Sequence, residues 1–359
     1  MDFELQLAGL EIELTRDCNL KCPHCMRYEP EESMKAYRGS VISTEIIDAL
    51  FERYRRIEQL LLTGGEPLLH PEMITYIIDK LIEKQVYTEQ IQIITNGTIA
   101  SEEAAVALNK AYDYITKNCV NWKHPVYIGI STDFHDNQST AQDMYSFYKQ
   151  HCKFDVEFHQ PDLSNGKHLA VTHAGRAKTL SDTAKNFDAF HHKICTSPEG
   201  KILCMLDLTL SGNFVTGTHH SFQDADKPEN ILCSVKDNLL SAIVQWNFEH
   251  PLNCKETKLK EWVQYVADTG IYFGKKATPH DYKVSQDSVR YYNDTEDFRK
   301  EVHRQFPALY PDDIENISNL AEKQSWLYCQ CYATHLNEKR SKESCTDTSC
   351  YCTCPDKEF

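Results

Sequence analysis

The chain has 359 residues, 41% of them hydrophobic and 11% aromatic, enough to fill the core of one large domain or two to three ordinary ones. Its 38 Lys and Arg stand against 53 Asp and Glu, and the net charge of −15 disfavours a nucleic-acid-binding surface, whose affinity is built from cations neutralising phosphates. Met1-Asp2-Phe3-Glu4-Leu5-Gln6 lacks the basic start and apolar core of a signal peptide, no apolar run approaches the ~20 residues that span a bilayer, and Asp356-Lys357-Glu358-Phe359 is not a prenylation box. A cytosolic setting without membrane partners is expected, with the 15 cysteines reduced and open to metal.

In chain order, an extended apolar segment leads into Cys18-Asn-Leu-Lys-Cys22-Pro-His-Cys25. Thiolates spaced by three and then two residues can hold three corners of an iron–sulfur cube, leaving one iron open to chemistry. The same spacing fits zinc, which in structural sites wants a fourth Cys or His. Ser43-Thr44 then caps a helix with Ile46, Ile47, Leu50, Phe51 and Tyr54 at helical spacing. The strand 59–62 runs into Gly64-Gly65-Glu66-Pro67, and Pro71 opens a helix carrying Ile74, Ile77, Ile78, Leu81 and Ile82. The strand 91–94 ends in Thr95-Asn96-Gly97, and a helix follows from near Ser101. The strand 126–130 ends in Ser131-Thr132-Asp133, a helix covers about 139–151, and 154–158 is a fifth strand. Repeated strand–helix units imply a parallel sheet, and polar residues gather at the strands' carboxyl ends, where such folds place ligands.

The cysteine loop after the first strand and the Gly-Gly-Glu-Pro turn after the second resemble the radical S-adenosylmethionine (radical SAM) enzymes over about residues 8–160. The resemblance implies an α/β fold with a partial (β/α)6 barrel. It also implies a [4Fe-4S] cluster on Cys18, Cys22 and Cys25 whose open iron takes the methionine end of S-adenosylmethionine. Gly64, Gly65, Glu66 and Pro67 would receive the same amine, His24 would lie near the adenine, and Thr95, Asn96, Ser131 and Asp133 would contact ribose, methionine or substrate. Two glycines permit a close approach of backbone to ligand. The implied reaction is a one-electron cleavage giving a 5′-deoxyadenosyl radical that takes a hydrogen from the substrate. A flavodoxin- or ferredoxin-type donor would supply the electron. The difficult chemistry is the cofactor's, so no catalytic side chain is assigned.

Beyond residue 160, Gly166-Lys167-His168 and Gly175-Arg176-Ala177 read as loop and turn material, the latter similar to a stretch of peptide-modifying radical enzymes. Cys195 and Cys204 flank one turn, and Ser211-Gly212-Asn213 makes a second between 206–210 and Phe214-Val215. This resembles, with altered spacing, the hairpin opening auxiliary-cluster domains of the SPASM and Twitch type. A helix over 237–248 and Cys254 continue that likeness, and helices are predicted over 261–268, 296–306 and from Pro311 to about Leu327. The tail concentrates Cys329, Cys331, Cys345, Cys350, Cys352 and Cys354, a density that suits a second iron–sulfur cluster or a zinc site. The expected organisation is a barrel in 1–185, a hairpin region in 186–260, and a helical region in 261–359 ending in the cysteine-rich tail. Cys119, Cys152 and Cys233 read as core packing, and His191-His192 and His219-His220 as surface or turn residues.

The substrate expected from this arrangement is a ribosomally made peptide, crosslinked, given a thioether or epimerised. The alternatives are a small molecule such as a sugar, nucleoside or amino acid, or a non-catalytic metal protein that senses or scaffolds.

Overall fold

The computed structural model describes residues 5–118, 124–131, 138–159, 172–179, 184–185, 194, 201–216, 220–250, 271–272 and 275–276. β1 (Gln6–Thr15) leads into the cysteine loop and α1 (Thr44–Arg53). Strand and helix then alternate through β2 (Ile57–Gly64), α2 (Pro71–Glu83), β3 (Gln90–Thr95), α3 (Glu102–Asn118), β4 (Val126–Ser131), α4 (Gln138–His151) and β5 (Val156–His159). The two-residue strands β6 (Thr172–His173) and β7 (Ala184–Lys185) pair with each other. There follow β8 (Lys201–Leu208), β9 (Asn213–Thr216), a single turn of helix α5 (Phe222–Ala225), β10 (Ile231–Ser234) and α6 (Leu239–Glu249). A last short pair is β11 (Ile271–Tyr272) with β12 (Lys275–Lys276).

Local sequence explains these elements. Pro71 occupies the first turn of α2, where its missing N–H costs nothing, and Met73, Ile74, Ile77, Ile78 and Leu81 recur along one buried face. Asn238 caps α6 by accepting from Ser241 N at 3.0 Å.

Eight strands form one sheet in the order β10-β9-β8-β1-β2-β3-β4-β5. Six of them, β8 and β1 to β5, run parallel, and β9 and β10 extend the β8 edge antiparallel. The α/β parallel architecture is as the sequence implied, with one difference. The sixth parallel strand comes from the hairpin region and lies against β1, so the sheet runs across residue 185. The hairpin itself turns at 209–212, around Gly212, which has φ +80; of the other predicted turn, residues 195–200 lie outside the described set.

Period-two alternation sorts the strands' faces. Leu206, Leu10, Leu60, Ile91 and Val126 are in register across five strands and join the helices' Leu50, Phe51, Ile74, Ile77, Leu108 and Ala111 in the main core. The neighbouring row, Asp207, Glu11, Leu61, Gln92 and Tyr127, points to the opposite face, where Glu13 and Gln59 are also buried. The sheet therefore has one oily side and one polar side. Cys152 and Cys233 pack half-buried against the core, as expected. The helices predicted over 261–268, 296–306 and 311–327 lie outside the described residues, as do Cys119, His191 and His192. Among the described residues no helix is long and apolar enough to cross a membrane.

Candidate cluster and cofactor site

Because β1 to β4 are parallel, Thr15, Gly64, Thr95 and Ser131 end at one edge of the sheet. The turn after β2 is bolted to the start of the cysteine loop: Gly65 N donates to Thr15 O and Glu66 N to Asp17 O, each at 2.7 Å. A Cβ at Gly64 would overlap the Thr15 carbonyl oxygen and one at Gly65 that of Asp17, and Gly64 has φ +133. The sequence suggested that these glycines admit a ligand. In the structure they admit the backbone that carries the cysteines.

Glu66 is 1% exposed and gathers three donors: Leu68 N at 3.0 Å, Thr95 Oγ1 at 2.8 Å and Asn96 N at 2.7 Å. Burial pushes its carboxyl up to about 7, against these hydrogen bonds, which favour the ionised form. It thereby ties the end of β2 to the end of β3. Asn96 in turn donates from Nδ2 to Asn19 Oδ1 at 2.9 Å and reaches Cys18 Sγ at 3.9 Å, while its Oδ1 accepts from Thr98 N and Oγ1 at 3.1 and 2.6 Å. Asn19 Nδ2 donates to Thr98 Oγ1 at 2.8 Å, closing the ring. Cys18, Glu66, Thr95 and Asn96, singled out from sequence, thus form one bonded group, to which Asn19 and Thr98 are additions.

Cys18, Cys22 and Cys25 are half-buried on this loop and none is in a disulfide. Cys25 N donates to Cys22 O at 3.3 Å, making the turn between them. Burial pushes the Cys18 thiol up to about 11 and Cys22 to about 12, and raises Cys25. Metal must therefore displace protons here. Among the described residues no three Cys, His, Asp or Glu converge as a single ion requires.

Two buried arginines clamp the loop at its ends. Arg16 pairs with Glu13 and with Asp226, reaching Asp226 Oδ1 at 2.8 Å. Arg27 pairs with Glu11 and with Asp207 at 3.3 Å, and His220 Nε2 lies 3.1 Å from the same Asp207 oxygen. The ring of Phe222 lies beneath both, 4.9 Å from the Arg16 guanidinium carbon and 5.9 Å from that of Arg27, and packs edge-on against Tyr28 at 5.2 Å. His220 is fully buried, contrary to its reading as a surface residue, because Asp207 provides its polar contact inside. Gly175-Arg176-Ala177, read as loop and turn material, begins a 3-10 turn (Gly175–Thr179) hydrogen-bonded to the cysteine loop. Isolated charged residues carry no sequence signal for such long-range pairs.

His24 is half-buried between Cys22 and Cys25, Pro67 is buried in the turn, and Ser131 is half-buried at the end of β4. Asp133 lies outside the described residues. Of the auxiliary candidates only Cys204 is described: it is 2% exposed on β8 and disulfide-bonded. Cys195, Cys254, Cys329, Cys331, Cys345, Cys350, Cys352 and Cys354 lie outside.

Comparison with known proteins agrees with this geometry. A family model described as the Radical SAM superfamily matches residues 12–117, the stretch from within β1 almost to the end of α3. Residues 12–117 belong to the radical SAM superfamily. Among curated relatives, a GTP 3′,8-cyclase of Limosilactobacillus fermentum is 26% identical over 132 residues, 36% of this chain and 38% of that one. The antilisterial bacteriocin subtilosin biosynthesis protein AlbA of Bacillus subtilis is 30% identical over 127 residues, 34% of this chain and 23% of that one. The chain thus spans well under half the length of either. A solved structure, "Native anSMEcpe with bound AdoMet", is similar over 88% of this chain and 100% of its own, at 14% identity and a TM-score of 0.45, a likeness too slight to weigh.

Proposed function

We propose that this protein is a radical SAM enzyme that modifies a ribosomally synthesised peptide. The observation that carries the enzymatic reading is the bonded group at the sheet edge, in which Glu66, Thr95 and Asn96 hold the loop of Cys18 against the Gly-Gly-Glu-Pro turn. The donor set fits a [4Fe-4S] cluster, since three cysteines lie on one half-buried loop with the buried cation of Arg176 beside it. When bound, the cluster supplies reductive cleavage of S-adenosylmethionine, whose nucleoside product removes a hydrogen atom from the substrate.

The chain's own residues bind and orient. Cys18, Cys22 and Cys25 would hold the cluster and leave it open to S-adenosylmethionine. The turn at Gly64, Gly65, Glu66 and Pro67 receives the amine, with the Glu66 carboxylate already fixed by three donors. His24 would lie near the adenine, and Ser131, half-buried at the end of β4, would contact ribose or substrate. A flavodoxin- or ferredoxin-type protein delivers the electron.

The curated relatives divide between a nucleotide cyclase and a peptide-antibiotic biosynthesis protein. A triphosphate needs several uncommitted cations. Among the site's described buried arginines, Arg16 and Arg27 are already matched by Glu13, Asp226, Glu11 and Asp207 and only Arg176 is uncommitted, fewer cations than a triphosphate needs, which favours the peptide. The test is anaerobic reconstitution and measurement of 5′-deoxyadenosine with peptides encoded beside the gene, with GTP, and without substrate. Peptide-dependent product is expected. Product dependent on GTP defeats the peptide reading, and a cluster that yields none with any substrate supports a scaffold or sensor.

A further inference from the structure

Among the described residues Arg176 is a buried charge without a hydrogen-bonded or ionic partner. It is 5% exposed, and Nε, Nη1 and Nη2 all lack a hydrogen-bond acceptor there. A buried ion left uncompensated costs several kcal/mol, and arginine does not escape by losing its proton. The other two buried arginines of the site are each matched by two carboxylates. Arg176 is the exception, so its anion is one that the described polypeptide does not provide.

Its position says which. Arg176 N donates to Tyr28 O at 2.6 Å and Ala177 N to Cys25 O at 3.4 Å, fastening the 3-10 turn to the cysteine loop. Gly175, at φ +51, has no room for a Cβ against the carbonyl oxygens of Met26 and Tyr28. The guanidinium carbon lies 4.8 Å from the centre of the Tyr28 ring.

We propose that Arg176 is the counter-charge of the iron–sulfur assembly on Cys18, Cys22 and Cys25 and raises its reduction potential, an inference that rests on the cluster reading above. Three thiolates leave such an assembly net negative, and each added electron makes it more so. Cluster potentials follow net charge and surroundings. A fixed cation in a medium of low dielectric stabilises the reduced form more than the oxidised one. On this reading Arg176 acts on the cluster through its charge and is a positioning rather than a catalytic residue.

The full-length Arg176→Lys, Arg176→Gln and Arg176→Met proteins are reconstituted anaerobically and titrated with reductant in the absence of S-adenosylmethionine. The reduced cluster is followed by electron paramagnetic resonance, alongside iron content, melting temperature and calorimetric affinity for S-adenosylmethionine. The midpoint is expected to move to lower potential in the Gln and Met variants and to stay near wild type in the Lys variant. Loss of iron from both neutral variants with retention in the Lys variant supports the same conclusion. An unchanged midpoint in an iron-loaded neutral variant overturns the proposal. So does loss of iron from all three, which marks a packing role, or weaker S-adenosylmethionine binding at an unchanged midpoint, which assigns the guanidinium to the methionine carboxylate. A wild type without a reducible cluster defeats the cluster reading itself and is seen before any variant is compared.

Discussion

At the scale of single residues, the site rests on side chains whose surroundings leave few substitutions neutral. Cys22→Ala removes one corner of the cluster, and cleavage of S-adenosylmethionine is expected to vanish even where the fold survives; wild-type turnover in that variant would defeat the assignment. Gly65→Ala drives a methyl group into the Asp17 carbonyl, so the expected loss is about 1–3 kcal/mol of stability together with cluster retention. A melting temperature equal to wild type would contradict the close backbone contact. Glu66 gives a pH signature. Its carboxyl is raised from an ordinary 4.5 to about 7, so between those values the folded protein holds a proton that the unfolded chain has released. This contribution to stability is present at low pH and is lost as pH rises through about 7, at about 1.4 kcal/mol for each pH step of one between the two values. Melting temperatures of apo-protein from pH 4 to 8 should show a shallower decline in Glu66→Gln than in wild type, and identical profiles would show that Glu66 titrates alike in the folded and unfolded chain.

At the scale of elements, the cysteine loop is held by the β8–β9 hairpin and α5 as much as by β1 and β2. Asp207→Ala leaves Arg27 with one carboxylate where it had two, and removal of one partner from a buried ion pair costs about 3–5 kcal/mol. Phe222→Ala removes the ring under both arginines, at a similar cost. Both variants should lose iron more readily than wild type, measured by chelator challenge at fixed temperature. Iron retention equal to wild type would show that the loop stands without this support. The first five strands and four helices were legible because each obeys a short-range rule: apolar runs bounded by turns, helical spacing of Ile and Leu, proline at a helix start. The placement of β8 was not legible. Lys201–Leu208 has the apolar alternation of a strand, yet nothing local says that its neighbour is β1 rather than β5. The same holds for Asp207 and Asp226, which read as ordinary surface acids until the fold brings arginines to them.

At the scale of the whole molecule, the motif residues were readable because spacing alone carries their chemistry. Glu66, Thr95 and Asn96 do join Cys18 in one group, although the glycines before Glu66 serve the backbone of the loop. What surrounds the motif was hidden, since a buried charge network is a property of tertiary contact. The cysteine-rich tail is tested by counting. Wild type should bind about four more irons per chain than a variant with Cys329, Cys331, Cys345, Cys350, Cys352 and Cys354 replaced by alanine. Equal iron in both would confine the metal to the amino-terminal loop.

The chain separation within the arginine clamp bears on how the protein is made. Arg27 and Asp207 are 180 positions apart, and Arg16 and Asp226 are 210. On the ribosome the thiols emerge long before the acids that steady their loop, so a nascent chain exposes a floppy, oxidisable trio for most of its synthesis. Iron delivery belongs after Asp226 has cleared the exit tunnel, and maturation factors should act on chains that have passed that point.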